Sequence, residues 1–154
     1  MDPVDRWQLK TWANLLNGST LLGLGIAALG RARLRPGPRG LLLATGYRLP
    51  VPTAPAFTVG NVVVSRHDPA WWEPRPRMLL HEERHSWQYV VCLGLPMLPL
   101  YALAAGWSYL RGGDPGVHNV FERTAGLADG GYPTLSRWAR RRQGRAQRRP
   151  QRTA

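Results

Sequence analysis

The apolar residues of this chain fall into runs whose spacing predicts several helices and one short β-rich segment. Residues 5–34 favour a helix in one or two pieces, with Ser19 and Thr20 as possible caps for the apolar run that follows them. Residues 41–65 hold two runs typical of strands, separated by a proline-containing segment, and predict a small sheet or hairpin. Three further helices are expected, over residues 76–94, 98–110 and 119–129. The pattern predicts an α+β fold that is mostly helical, with its β-rich part ahead of the helix at 76–94.

Positive charge is concentrated at the C-terminal end. The chain has 154 residues, 21 basic and nine acidic, and a net charge of +12. Residues 137–152 contain eight arginines and no acidic residue, so the part before them retains only +4 (12 − 8). We therefore predict one domain over residues 1–136 and an Arg-rich tail over 137–154 that is disordered or only partly helical. The tail could bind an anionic membrane surface. Sequence-specific nucleic-acid binding is not expected, because no reading module is recognisable.

One long uncharged segment raises the question of a membrane. Residues 89–110 carry no charge over a length that could cross a bilayer, but Pro96 and Pro99 interrupt them. We interpret the segment as two buried helical pieces, with membrane placement as the open alternative. The N-terminal residues do not resemble a cleavable signal peptide. A cytoplasmic or a membrane-associated location is therefore expected, and the single cysteine, Cys92, excludes a disulfide framework.

The strongest chemical signal is the pattern H-E-x-x-H at residues 81–85. On a helix, residues four apart lie on one face, so His81 and His85 can bind one Zn²⁺ together. Glu82 follows the first ligand, where it could act as general base towards a zinc-bound water. The pattern predicts a catalytic zinc site with Glu82 as its catalytic residue.

A third ligand has to come from elsewhere in the chain. Gln88 and Val91 stand where a metzincin has glycine and histidine, so that class is excluded. Gluzincins take a glutamate from a later helix, and Glu122 is the only glutamate after residue 83. Glu122 is therefore our predicted third ligand, with His118 as the competing one. Other residues that could orient a ligand or line the cleft are Asp129, Gln88, Asn119 and Tyr132, and both Tyr132 and Tyr101 could stabilise an oxyanion.

Two separated stretches together resemble one known family. Ala56-Phe-Thr-Val-Gly60, followed by Leu79-Leu-His-Glu-Glu-Arg-His-Ser-Trp-Gln88, is similar to the metallopeptidase core domain associated with extracellular contractile injection systems. That family pairs an Ala-[Phe/Tyr]-Thr-x-Gly strand with a Leu-Leu-x-His-Glu-x-x-His-x-x-Gln helix. This chain lacks the residue between the leucines and the first histidine, and has Tyr89 where a second glutamine is usual. The resemblance covers residues 56–92 and implies a minimal zincin-like fold with His81, Glu82 and His85 in the metal-site positions.

Two functional hypotheses follow from these observations. The first is a small zinc-dependent hydrolase, a metallopeptidase acting on a peptide or protein substrate. The second is a non-catalytic, metal-stabilised protein that associates with a membrane through its apolar runs and Arg-rich tail.

Overall fold

The computed structural model describes residues 2–147 and confirms the α+β fold class. Within these residues it has six α-helices and one four-stranded sheet, and the chain divides at Leu98 into two compact units. The elements of the first unit are α1 (Pro3–Leu16), α2 (Ser19–Leu29), β1 (Arg33–Pro36), β2 (Leu42–Thr45), β3 (Ala56–Val59), β4 (Val62–Ser65) and α3 (Pro76–Val91). The second unit contains α4 (Met97–Gly112, which begins just before the division), α5 (Val120–Ala125) and α6 (Arg137–Gln147).

The sheet is mixed, with strand order β1-β2-β4-β3. β1 pairs antiparallel with β2, β2 pairs parallel with β4, and β4 pairs antiparallel with β3. Val62 stands opposite both Val59 of β3 and Leu42 of β2, so β4 lies between these two strands.

Both faces of the sheet are covered in its middle. Val62 and Val64 point to one face and pack with Ala27 of α2 and Tyr47. Val63 points to the other face, in a second cluster with Trp72 that Leu79 of α3 also contacts. Because successive side chains of a strand alternate between faces and both faces are covered, all four residues of β4 are buried, and the first three of them are valines.

The N-terminal helical prediction is corrected in two places. The chain turns at Asn17 and Gly18, so there are two helices, and Gly18 rather than Ser19 or Thr20 is the N-cap of α2. Gly18 has φ +79°, a left-handed conformation that glycine adopts without strain. The predicted helix also ends early, because residues 33–36 form β1, an edge strand whose exposed arginines hid its β character.

Two helices keep their predicted starts better than their ends. α3 begins at Pro76 as expected and ends at Val91, where Leu93 and Gly94 both take positive φ. α5 begins after its predicted cap Asn119, whose side chain accepts a hydrogen bond from Phe121 N. It ends at Ala125, four residues short of the prediction, because Gly126 has φ +92°.

The segment 89–110 is divided between α3 and α4, and part of it is exposed. Leu103 of α4 is 71% exposed and Leu110 is 74% exposed, so the prediction that these pieces are buried is wrong for the outer side of α4. Within the predicted tail, Arg137–Gln147 form the helix α6. Arginine is a good helix former, and Ser136 Oγ accepts a hydrogen bond from Ala139 N in the first turn of α6. The remainder of the predicted tail, 148–154, lies outside the described residues.

Within the described residues, no single helix combines the length and the hydropathy needed to cross a bilayer. Residues 4–29 reach that threshold only as a pair, Val4–Leu16 with Ser19–Leu29, and the two helices are bent by 73° where they meet.

Candidate metal centre

The two histidines of the H-E-x-x-H pattern lie one turn apart on α3 and are both buried. Their Nε2 atoms face each other at 3.0 Å, and the ring planes are nearly perpendicular. Two nitrogen ligands of a tetrahedral zinc ion lie about 3.3 Å apart, since each bond measures about 2.0–2.1 Å. The separation of the imidazole pair is therefore close to the one that a single small ion requires.

Gln88 fixes the orientation of the second histidine. Its Oε1 lies 2.8 Å from His85 Nδ1. Because an amide oxygen only accepts hydrogen bonds, Nδ1 carries the proton and Nε2 keeps the lone pair that a metal needs. Gln88 is thus a positioning residue behind a candidate ligand.

Glu82 is held by the neighbouring strand. Its carboxylate is 4% exposed, and its Oε2 accepts a 2.6 Å hydrogen bond from Thr58 Oγ1 of β3. α3 packs against β3, and this packing brings Thr58 of the Ala-Phe-Thr-Val-Gly stretch to Glu82 of the H-E-x-x-H pattern. Sequence reasoning missed this role of Thr58, although the Ala-Phe-Thr-Val-Gly stretch was its visible signal.

Glu122 is buried on α5 and accepts a hydrogen bond from the Tyr101 hydroxyl. Burial raises the pKa of Tyr101 far above its usual range, and the adjacent Glu122 carboxylate and Tyr132 add to the effect. Tyr101 therefore stays protonated and donates to the carboxylate across the whole physiological pH range.

His81, His85 and Glu122 together form a buried group that could bind a metal ion. Their candidate ligand atoms all lie within 4.8 Å of one another. Of the described residues, these three are the only histidine, cysteine, aspartate or glutamate side chains grouped in this way.

The other predicted site residues have different surroundings. His118 is half-buried over Gly112, and a methyl group at that glycine would lie 2.9 Å from the imidazole Cδ2. Tyr132 covers Gly116 in the same way. Asp129 lies in the turn after α5, outside the helix and not at the end of it as the predicted bounds 119–129 implied. Asn119 is fully buried as the cap of α5.

A buried ion cluster on α3 was not foreseen. Glu83 pairs with Lys10 of α1, at 3.5 Å between Oε1 and Nζ, and also with Arg39. Lys10 is fully buried, and burial lowers its pKa in spite of the opposing effect of Glu83. In the sequence, Lys10 and Glu83 resemble ordinary surface residues, 73 positions apart.

A buried amide network fixes the other side of α3. Asn14 Nδ2 donates to the Ser86 carbonyl oxygen at 2.9 Å and to Asn61 Oδ1 at 3.0 Å. Asn61 belongs to the β3–β4 turn, and its Nδ2 donates to Thr11 O at 3.0 Å. This network joins α1, α3 and the β-hairpin directly beside His85.

Gly60 makes that hairpin turn possible. It has φ +61°, and a methyl group placed on it would lie 2.4 Å from Thr20 N. Only glycine fits both the backbone conformation and the contact with α2. The final residue of the Ala-Phe-Thr-Val-Gly stretch thus has a steric role, while Thr58 has a polar one.

Comparisons of this chain with protein-family models, with curated proteins and with solved structures found no match.

Proposed function

We propose that this protein is a zinc-dependent hydrolase, and within that class a small metallopeptidase. The observation that carries the proposal is the buried His81–His85–Glu122 group, with Glu82 next to the first histidine. Two imidazoles and one carboxylate are the donor set of many catalytic zinc sites, which keep a fourth position open. Zinc bound there would polarise a carbonyl group and acidify a water molecule.

The residues around the site would then have separate roles in the reaction. Glu82 would accept the proton of the attacking water and return it to the leaving amine, while Thr58 holds its carboxylate in place. Gln88 would keep His85 in the ligating tautomer, and Tyr101 would orient Glu122. The choice of peptides over other carbonyl substrates rests on the resemblance of residues 56–92 to a metallopeptidase core domain.

The proposal is tested with the full-length protein and three matched Glu→Gln variants. We expect stoichiometric zinc in the wild type by elemental mass spectrometry, and cleavage products from a broad peptide library by peptide mass spectrometry. Glu82→Gln should keep zinc but lose at least about 100-fold in kcat/KM, because it removes the general base. Glu122→Gln should lose zinc.

Glu73→Gln is the control, because Glu73 is exposed and the substitution makes the same chemical change. It should match the wild type in zinc content and in cleavage. Full activity in Glu82→Gln would refute the assigned mechanism. Zinc retained in Glu122→Gln but lost in His118→Ala would replace the carboxylate with the competing histidine.

A further inference from the structure

Helix α2 has apolar side chains on its solvent-facing side as well as against the core, where Leu24 and Ile26 pack. In a water-soluble protein the apolar side of a surface helix faces inwards and its polar side outwards. The buried residues of α2 are small or polar, namely Ser19, Thr20, Gly23 and Ala27. Its exposed residues are all apolar or glycine, namely Leu21, Leu22, Gly25, Ala28 and Leu29.

The small residues on the inner side of α2 have a packing reason. A methyl group on Gly23 would lie 2.5 Å from Val59 O and 2.9 Å from Val62 Cβ, so this helix lies in direct backbone contact with the hairpin. Small residues that permit such close approach, with leucines on the outer side, are typical of helices whose surroundings are lipid.

The corner between α1 and α2 continues this apolar surface. Gly94, just beyond α3, lies against Asn17, since a methyl group there would be 2.7 Å from Asn17 Cγ. The neighbours of these two residues are among the most exposed apolar side chains described. Leu16 is 83% exposed, Val91 78% and Leu93 79%. We call Leu16, Val91 and Leu93 the apolar tip.

Charge is absent from the tip and present at the far end of α2. Residues 11–30 and 86–98 contain no charged side chain, whereas Arg31, Arg33 and Arg35 follow α2 directly and are all exposed. The 11 residues of α2 span about 16 Å, which is about half of a hydrocarbon core of roughly 30 Å. With the tip among the acyl chains of one leaflet, these arginines would therefore lie at the level of its headgroups.

We propose that the apolar tip and the outer face of α2 dock into one leaflet of a membrane that contains anionic lipids. The 73° bend between α1 and α2 suits entry into one leaflet and return to the same side. An exposed apolar face flanked by arginines is complementary to acyl chains beneath anionic headgroups. The proposal is independent of the hydrolase function and also differs from electrostatic binding by the Arg-rich segment at residues 137–152.

The test measures flotation of the full-length protein with vesicles of phosphatidylcholine and phosphatidylglycerol, at low salt and in 0.5 M NaCl. High salt screens the attraction of the arginines but leaves apolar insertion in place. The tip variant Leu16→Gln/Val91→Gln/Leu93→Gln should float like the wild type at low salt. In high salt its partition coefficient should be at least about tenfold below that of the wild type.

The control variant is Leu49→Gln/Val51→Gln, which replaces two other exposed apolar residues of the same unit, in the β2–β3 loop. It should float like the wild type in both conditions. All variants are checked for an unchanged circular dichroism spectrum, and Leu93→Gln alone provides a milder version of the tip change. Equal flotation of tip variant and wild type in high salt would overturn the proposal. The proposal would also be overturned if the wild type did not float with vesicles and formed a dimer that the tip variant does not form. The tip would then contact a second copy of the chain.

Discussion

At the scale of single residues, α3 combines candidate metal ligands with residues that hold the helix in place. His81 and His85 face each other. Glu83 and Ser86 instead contact Lys10 and Asn14 of α1. A different polar residue in place of Glu83 or Ser86 would therefore not make the same contacts. Glu83 in particular compensates the buried charge of Lys10.

We expect Glu83→Gln to cost about 3–5 kcal/mol of unfolding free energy at pH 7, because it leaves Lys10 buried without a counter-charge. Lys10→Met should cost much less, since Arg39 still pairs with Glu83. Burial lowers the pKa of Lys10, so between that lowered value and 10.5 the unfolded chain binds more protons and stability rises with pH. The loss in Glu83→Gln should therefore shrink at pH 10. Urea unfolding at both pH values measures this, and equal losses in the two variants at both pH values would contradict it.

The histidine pair was predictable and its supporting contacts were not, for a physical reason. Residues four apart on a helix meet by local geometry alone, so the sequence shows His81 and His85 as neighbours. Thr58 reaches Glu82 only because β3 packs on α3, and Lys10 reaches Glu83 only because α1 does. Such pairs depend on tertiary packing, which spacing along the chain does not reveal.

At the scale of elements, the hairpin β3–β4 is the piece on which the site is built. It carries Thr58 towards Glu82, and its turn places Asn61 among α1 and α3. The turn depends on Gly60, whose left-handed backbone lies against the first turn of α2.

Two glycine-to-alanine variants separate this requirement from ordinary helix propensity. Gly60→Ala should lose at least about 2–3 kcal/mol of stability, because the methyl group meets Thr20 N in a strained backbone conformation. Gly25→Ala, in α2 with nothing within 4 Å of its methyl position, should gain about 0.5–1 kcal/mol. Thermal unfolding measures both, and a tolerated Gly60→Ala would refute the steric role of the turn.

The elements themselves were predictable to different degrees. α3 has a proline at its start, and Met78 and Leu79 of its first turns pack against the apolar core, so its beginning matched the pattern. β1 was missed because it is an edge strand of only four residues, all of them exposed, and such a short stretch gives too little pattern to predict a strand. The sequence left open whether residues 5–34 form one helix or two. A run of leucines favours a core helix whether its side chains face the core or the solvent.

At the scale of the whole molecule, a bound ion would contribute to folding as well as to chemistry. An ion that binds only the folded chain stabilises it in proportion to the logarithm of its concentration. At a zinc concentration 100 times the Kd, we expect Tm to rise by roughly 5–10 °C over that of chelator-treated protein.

Glu122→Gln should show a much smaller rise in the same scanning-calorimetry experiment, and Glu73→Gln should show the full rise. A Tm that does not respond to zinc in the wild type would contradict the metal-binding proposal without reference to any substrate.

The amide network around Asn14 has a consequence for protein design. A designer who transplants residues 81–85 into a foreign helix would transfer two imidazoles but none of the groups that hold them. The smallest portable version of this motif has to include the second half of the N-terminal helix, which supplies Lys10 and Asn14, together with the hairpin that supplies Thr58 and Asn61. That set extends from the N-terminal helix to the end of α3, and the proposed third ligand Glu122 lies beyond it on α5, so the pentapeptide depends on a scaffold far longer than itself.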